Sequence, residues 1–396
     1  MENSTLYIQK LIDDASEKGH EAVIPKGVYI CGTIFLRENL TLRLEKGAVI
    51  MGSIDPSDYS DNVDIFYDGC GKPRGKALIY ADGIKNVRIY GEGIINGRGA
   101  QHQYDGRPFL VRIKNCSDIE ICGISLQDGA AWNLHIMDCE RVRINSLLIK
   151  SHANHNNDGI DIDASRDVTV SDCFVDTGDD AVCLKATVDK PCRNITVKGC
   201  TLSSSAAAIK MGTESVGDFE NISISDINVY DTYGCAIKIV PVDGANVRNV
   251  NIENVRVENT VGPIFIANGE RMRSYHGNPA KTVPGQIDGV NIKGVHGNCI
   301  NPKNKDTLSC VCVSGTLKNP VKNVTLSDFC LDMPGGATEY TPFDIPEMGD
   351  SYPEYYNFGI LPAWGIYTRH TENFKAQSIA LKSKLHDVRS EMHNDK

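Results

Sequence analysis

Three aspartates stand just before two consecutive apolar segments of this chain, at a spacing that suits acid/base chemistry. Asp158 precedes the run 159–162, and Asp179 and Asp180 precede the run 181–184. Aligning the two runs places Asp158 one segment away from Asp180, 22 residues further on. If the runs are adjacent strands, they lie about 4.8 Å apart, and the three carboxyl groups crowd together.

Crowded carboxyl groups cannot all ionise at neutral pH, because their mutual repulsion raises at least one pKa. A protonated acid beside ionised acids is what cleavage of a glycosidic bond needs. One acid protonates the leaving oxygen, and another activates water or attacks. The competing interpretation is structural, since aspartates often start strands and cap turns. Three aspartates on adjacent segments favour the chemical interpretation, so we predict Asp158, Asp179 and Asp180 as a catalytic set.

The segments that carry these acids belong to a repeat with a period near 27 residues. Its units begin at Val142, Val168, Ile195, Ile222 and Val250, at intervals of 26, 27, 27 and 28 residues. Within a unit the apolar residues alternate, and the 3.6-residue spacing of helices is lacking. We predict an all-β fold, a right-handed single-stranded parallel β-helix, in which each coil buries its inward side chains against its neighbours. One continuous core would make residues 1–396 a single domain.

Three segments outside the repeat complete this prediction. Within residues 1–20, Leu6–Lys18 is amphipathic, and we expect a short N-terminal helix that caps the open end of the core. Residues 333–357 are rich in Pro, Gly, Tyr and acids and predict a long aperiodic loop. Gly365–Leu381 resembles a last coil, and we expect 382–396 to form a frayed tail.

The composition argues against several classes of function. The 396 residues carry a net charge of −10 without a basic run, so we expect no nucleic-acid partner. No apolar stretch of about 18 residues occurs, so we expect no membrane partner. Zinc-type cysteine pairs and calcium loops are lacking, so no metal or other cofactor is expected. Fourteen cysteines, interpreted as reduced thiols, and polar residues at 1–18 suggest a cytoplasmic location, or secretion if a leader has been removed.

Residues at equal phase on neighbouring coils should form a row beside the acids. The predicted outward row consists of Arg112, His135, Asp163, Lys185, Lys210, Lys238 and Ile266. Stacked lysines repel one another. They therefore pair with nearby carboxylates or extend into water, or they bind the carboxylate of an anionic sugar. On the last interpretation the predicted substrate-binding residues are His135, Asn156, Lys185, Lys210, Lys238 and Arg271.

The repeat, the segment 156–163 and the Gly178–Asp180 turn resemble the polygalacturonases, which are family 28 glycoside hydrolases. The resemblance covers roughly residues 5–380, and the spacing of the three aspartates is similar to the family's site. It implies that Asp179 is the general acid and that Asp158 and Asp180 position and activate water, with inversion at the anomeric carbon.

Two positions depart from the pattern of that family. The family's Gly-His-Gly corresponds to 206–208 here, with Ala207 in place of histidine. Its Arg-Ile-Lys corresponds to 236–238, with Ala236 in place of arginine and Lys238 kept. The acids are thus retained while groups associated with homogalacturonan recognition are lost. This favours another linkage in a galacturonic-acid-containing chain, such as that of rhamnogalacturonan.

The predicted function is inverting hydrolysis of an acidic pectic oligosaccharide or polysaccharide. Exo action is expected if the loop 333–357 closes one end of the groove. Two alternatives stay open: a polysaccharide lyase acting on a uronate polymer, for which the lysines would supply a base, and a non-catalytic carbohydrate-binding β-helix. The sequence makes no prediction of oligomeric state.

Overall fold

The computed structural model describes residues 3–300, 310–347 and 349–395 as a parallel β-helix. Twelve strands form one sheet, in which the order of the strands in space equals their order in the chain. We call it the front sheet. A second sheet of 20 strands, the back sheet, supplies the rest of each coil. All pairings within both sheets are parallel among these residues, as the prediction required.

The front sheet carries the candidate site. Its strands are Ile34–Phe35, Ala77–Asp82, Phe109–Lys114, Leu134–Met137, Ile160–Asp163, Val182–Ala186, Ile209–Ser215, Cys235–Pro241, Gly262–Ala267, Val311–Ser314, Ala363–Arg369 and Ser390–Asp395.

The back sheet bends, so that many coils contribute two short strands and later coils one long strand. Its strands are Ala22–Ile24, Gly27–Cys31, Thr41–Leu44, Ala48–Gly52, Lys85–Gly91, Ile94–Asn96, Ser117–Cys122, Ser125–Gln127, Glu140–Asn145, Leu148–Ser151, Arg166–Ser171, Phe174–Thr177, Cys192–Lys198, Thr201–Ser204, Phe219–Tyr230, Val247–Glu258, Ile287–Asn298, Val321–Gly335, Thr371–Glu372 and Lys375–Leu385.

The core consists of rows of aliphatic side chains that stack from coil to coil. One row of the front sheet is fully buried and runs through Ile136, Ile162, Leu184, Met211, Ile239 and Ile266. Because side chains alternate along a strand, this inward row fixes which residues face outward. The fourteen cysteines are free thiols, and eleven of them are buried.

Several strands of the back sheet bend at an asparagine in the left-handed conformation. Asn194, Asn221 and Asn249 have φ values of 57°, 56° and 52°, which few other side chains tolerate. Their amides also form a ladder, since Asn221 donates to Asn194 over 3.0 Å and Asn249 donates to Asn221 over 2.8 Å. These asparagines therefore stabilise the bends of these strands.

The N-terminal cap is a helix, as predicted. It spans Thr5–Lys18 and ends at Gly19, whose φ of 66° is the left-handed conformation typical of a helix C-terminus. Ile8 and Ile12 are fully buried against the first coils. No helix among the described residues is long and apolar enough to cross a membrane.

The C-terminal segments differ from the prediction. The loop expected at 333–357 is shorter, because the strand Val321–Gly335 continues into it and the helix Tyr355–Phe358 ends it. The frayed tail expected at 382–396 is wrong for residues 382–395, since Lys375–Leu385 and Ser390–Asp395 pair with the preceding coil. Backbone pairing overrides the weak apolar pattern of these strands. Residues 1, 2, 348 and 396 of the predicted segments lie outside the described residues.

We expect Ile224→Ala to destabilise the protein by about 2–5 kcal/mol, because Ile224 is fully buried between neighbouring coils and the change leaves a cavity. The adjacent Ser223 points outward, so Ser223→Ala should leave the melting temperature within about one degree. Thermal melting followed by circular dichroism checks both variants. Equal melting temperatures for the two would contradict the assigned inward and outward faces.

Candidate active site

The coil register brings the three predicted aspartates together. The amide of Gly159 donates to the carbonyl oxygen of Asp180 over 2.8 Å, so Asp158 and Asp180 occupy the same phase on adjacent coils. One carboxylate oxygen from each of Asp158, Asp179 and Asp180 lies within 4.8 Å of the others. Asp158 and Asp180 are buried, and Asp179 is half-buried. The alignment of the two apolar runs is therefore confirmed.

Local hydrogen bonds hold the Asp179–Asp180 turn. The hydroxyls of Thr177 and Ser204 donate to the carbonyl oxygen of Asp179 over 2.8 and 2.7 Å. The amide of Asp180 donates to the carboxylate of Asp179 over 2.9 Å. The carboxylate of Asp180 accepts from the amide of Ala207 over 3.1 Å and from Nζ of Lys210 over 2.6 Å. Asp180 is thus paired with the ammonium group of Lys210, while Asp179 lines the cavity in front of the sheet.

The acids differ in their affinity for protons. Burial, with repulsion by Asp161 and Asp179, raises the pKa of Asp158 well above its usual range. Burial and the neighbouring Asp180 also raise the pKa of Asp179. Burial and mutual repulsion thus favour the protonated forms of Asp158 and Asp179, which is the direction that acid catalysis requires.

Lys185 lies beneath the acids in a buried cluster of charges. Its Nζ is 3.3 Å from Asp158, 3.4 Å from Asp161 and 3.4 Å from Glu214, counted to the nearest carboxylate oxygens. It also lies 4.3 Å from the centre of the Trp132 ring. Burial alone would raise the pKa of Glu214, but Lys185, Lys210 and Arg271 lower it to about 2. Glu214 is therefore a permanent carboxylate of the site.

The predicted outward row is wrong in its register. The strand pairing gives the row Arg112, His135, Asp161, Cys183, Lys210, Lys238 and Phe265. Asp163 and Lys185 pair with each other two residues further along the strands, and Ile266 belongs to the core. Each lysine has a carboxylate partner, since Lys210 binds Asp180 and Lys238 binds Glu354. Pairing with nearby carboxylates, the first of the two interpretations, is what the structure shows.

Two predicted substrate-binding residues lie away from the open space. His135 is fully buried, packs against Phe66 and Trp132, and lies 3.1 Å from Asp163. Burial lowers the pKa of His135 to about 4, so it is neutral at pH 7. Arg271 is also buried and is bound to Asp243 over 2.6 Å. Covering segments hide both polar side chains, so neither is placed to contact a substrate in this structure.

Asn156 lies at the edge of the site, where its amide oxygen accepts from Arg74 over 3.0 Å and from Arg107 over 3.1 Å. It lines a cavity of about 50 Å³ together with all three aspartates, Lys185 and Glu214. Asn156 therefore sits where the prediction placed it, but with its carbonyl oxygen already bound by two arginines.

Two segments that lack any repeat enclose the acids along the axis of the β-helix. On the N-terminal side, the hairpin of Phe66–Tyr67 and Pro73–Arg74 covers the coils, and the amide of Gly69 donates to Glu214 over 2.9 Å. On the C-terminal side, a cavity of about 280 Å³ is lined by Tyr352, Glu354, Tyr355 and Tyr356 together with Asp179, Asp180, Lys210 and Lys238. The site is a short pocket between these walls.

Tyr352 is a residue that the sequence did not single out. Its hydroxyl lies 3.0 Å from Nζ of Lys210, and it lines both cavities. It shares the larger cavity with Ala207, the position where the resembling family carries histidine. Ala236 is buried and brings no charge. Tyr352 lies in the aperiodic segment, so no repeat pattern pointed to it.

The aspartate trio has the oxygen ligands that hard cations prefer. Two of these carboxylates already form ion pairs with lysines, Asp158 with Lys185 and Asp180 with Lys210. Two ammonium groups at these carboxylates oppose a bound cation by repulsion.

The sequence is similar to one family of known proteins. The family model for glycosyl hydrolases family 28 matches residues 60–343. A probable polygalacturonase of Vitis vinifera is 23% identical over 377 residues, covering 88% of this chain and 77% of the relative.

Two solved structures share the fold. The exopolygalacturonase of Thermotoga maritima has a TM-score of 0.71 at 19% identity and covers 84% of both chains. The family 28 exopolygalacturonase of Yersinia enterocolitica has a TM-score of 0.72 at 19% identity, covering 100% of this chain and 76% of its own. At this identity the likeness shows the fold alone, and it confirms the predicted fold class.

We expect Asp161→Asn to flatten the fall of stability with rising pH. Burial raises the pKa of Asp161 to about 8, although Lys185 opposes the rise. Between about pH 4 and pH 8 the folded protein thus keeps a proton that the unfolded chain releases, so stability falls as pH rises. Asparagine is isosteric with the neutral acid and has no proton to lose.

Urea unfolding at pH 5 and pH 8 measures this effect. The loss of unfolding free energy between the two pH values should be smaller in Asp161→Asn by more than about 1 kcal/mol. Asp167→Asn is the control, because Asp167 is exposed and its left-handed conformation accepts asparagine. Parallel pH dependence in all three proteins would show that Asp161 is ionised in the fold.

Proposed function

Because the chain belongs to family 28 of the glycosyl hydrolases and is a glycosidase, we propose that it hydrolyses a galacturonic-acid-containing pectic saccharide with its three clustered aspartates. One observation carries the proposal. Asp158, Asp179 and Asp180 lie within 4.8 Å of one another in a pocket, and their surroundings differ. Such differences are what divide acid and base roles between neighbouring carboxyl groups.

Asp179 is proposed as the general acid. Its carboxyl group borders the larger cavity, and its raised pKa favours the protonated form that can donate to the leaving oxygen. Asp180 accepts hydrogen bonds from Nζ of Lys210 and from the amide of Ala207, and these contacts fix the position of its carboxylate. The pKa of Asp158 is raised as well, but Asp158 does not line the larger cavity, so we assign it, together with Asp180, to positioning and activating the water molecule.

The proposed stereochemical course is inversion, as the resemblance to the family implies. Inverting enzymes with two acids usually hold them about 6.5–9.5 Å apart, which leaves room for water. The oxygens here are closer, within 4.8 Å. With a third acid the wide spacing is not needed to make room for water, because Asp158 and Asp180 together can hold a water molecule beside Asp179.

Exo action on short chains is proposed from the shape of the site. The hairpin that contains Phe66 covers one side of the acids, and residues 352–356 cover the other. A long polymer would have to pass through both walls, whereas the end of a chain enters the pocket from above. The named relatives with this fold include two exopolygalacturonases, which agrees with the proposal.

The pectic substrate is proposed from the relatives, one of which is a probable polygalacturonase. The lysines add less support than the sequence suggested, because Lys210 and Lys238 are paired within the protein. The absence of a charged group at Ala207 and Ala236 favours a linkage other than that of plain homogalacturonan, with rhamnogalacturonan as the leading candidate.

Mass spectrometry of products from galacturonan and rhamnogalacturonan oligosaccharides tests the activity. We expect products that gain one water per cleavage and shorten from one end. Asp179→Asn should lower kcat/KM by about 10²–10⁴-fold, because the general acid is lost. The exposed Asp167→Asn serves as the isosteric control and should cleave at the wild-type rate.

Three results would overturn the proposal. Unsaturated products without added water would establish a lyase. No cleavage of any oligosaccharide would indicate a binding protein. Full activity in Asp179→Asn would remove Asp179 from the mechanism.

The stereochemical course is a separate prediction. During early turnover, proton NMR should show the new reducing end in the anomeric configuration opposite to that of the cleaved bond. Boiled enzyme is the control for the slow equilibration of the two anomers. A first-formed product with the original configuration would establish retention, and the close spacing of the acids would then reflect a nucleophilic aspartate.

A further inference from the structure

The larger cavity contains a carboxylate that belongs to the protein's own covering segment. Glu354 reaches across it and binds Nζ of Lys238. The side chain of Lys238 is only 6% exposed and that of Glu354 is 26% exposed. The ammonium group that could receive an acidic sugar is therefore already occupied by the chain itself.

Glu354 is held in this position by its neighbour. Tyr355 is buried, with its hydroxyl 2.6 Å from the carbonyl oxygens of Ile264 and Cys310, and its ring packs on Phe265 at 4.6 Å. Glu354 precedes the helix Tyr355–Phe358, yet its side chain does not cap that helix. The carboxylate is thus directed to Lys238 by an anchored segment.

The lining of the cavity has no cation left for a substrate carboxylate. Lys210 and Lys238 are its only lysines or arginines among the described residues, and they bind Asp180 and Glu354. Asp179 adds a further acid. A uronate placed here would lose its hydration and meet carboxylates without a free partner, which is unfavourable.

The other lining groups suit an uncharged sugar. Tyr352, Tyr355, Tyr356 and Val261 present aromatic and aliphatic surface to the cavity. The aromatic rings offer apolar faces to the C–H groups of a sugar ring, while the hydroxyls of Tyr352 and Tyr355 are already bonded within the protein. The cavity thus combines lysines that are already paired with carboxylates and aromatic side chains on which a sugar ring can stack.

We propose that Glu354 is a specificity-determining residue: by neutralising Lys238 it makes the subsite between Asp179 and Lys238 select an uncharged sugar, either a neutral residue or a methyl-esterified uronate, over a free uronate. This inference rests on the proposed function, because it assigns one subsite of the same pocket. It predicts a pectic substrate in which charged and uncharged units alternate or in which carboxyl groups are esterified.

The test is the binding of digalacturonate and its dimethyl ester, measured by calorimetry at pH 7. Asp179→Asn is used as the parent so that neither ligand is consumed. We expect the parent to bind the ester about tenfold more tightly than the free acid, an effect of the size expected for one unpaired charge in a partly buried site. Adding Glu354→Gln should tighten the binding of digalacturonate about tenfold and change that of the ester less than twofold.

Two further variants separate charge from loop structure. Glu347→Gln removes another carboxylate of the same segment, one that binds Arg369 and His370 outside the cavity. It should leave both affinities unchanged. Combining Glu354→Gln with Lys238→Gln should abolish the gain for digalacturonate, because the freed ammonium group is then missing.

A parent that prefers digalacturonate would overturn the inference. So would equal gains for both ligands in Glu354→Gln, the same effect in Glu347→Gln, or no binding of either ligand to any variant. Hydrolysis by the wild-type enzyme is scored separately. If the wild type cleaves nothing while the binding preference switches as expected, only the proposed reaction fails.

Discussion

The stacking of one coil on the next is the constraint on which the site depends. Inward residues such as Ile162, Leu184 and Met211 are buried only when neighbouring coils keep their register. A slip by one residue would turn these side chains to solvent, at a cost of about 1.5–3 kcal/mol for each. The same register forces Asp158 and Asp180 into adjacent positions. The two carboxyl groups repel each other. The free energy gained by burying the apolar rows offsets this repulsion and keeps the acids in adjacent positions.

The buried lysines form ion pairs with some of the acids of the site and not with others. Nζ of Lys185 lies 3.3–3.4 Å from carboxylate oxygens of Asp158, Asp161 and Glu214. Nζ of Lys210 lies 2.6 Å from a carboxylate oxygen of Asp180. A nearby cation opposes the rise in pKa that burial causes, yet burial still raises the pKa of Asp158 well above its usual range despite Lys185. Chemically identical side chains therefore acquire different roles from their surroundings, and the front sheet supplies those surroundings strand by strand.

The repeat allowed the fold and the aspartate cluster to be predicted, because both follow from the inward apolar rows. The outward row was misplaced at Asp163 and Lys185, since outward residues lack a hydrophobic pattern that marks their register. His135 and Arg271 are polar residues that Phe66 and Tyr275 help to bury, and such cover comes from distant insertions. Tyr352 and Glu354 lie in an aperiodic segment, where spacing carries no positional information. The expected cytoplasmic location stays a prediction.

The insertions also set the proton affinity of the acids, which links the shape of the pocket to its chemistry. Burial is the largest cause of the raised pKa values of Asp158 and Asp179. On the bare surface of a sheet these carboxyl groups would be hydrated and would titrate near their usual range. Gly69 of the hairpin and Tyr352 of the C-terminal segment both line the cavity that contains the two acids. The two segments proposed to limit the substrate therefore also shield the acids from water. If the proposed mechanism holds, a change in either wall would alter substrate choice and the pH range of acid catalysis together, even though the coils beneath stayed the same.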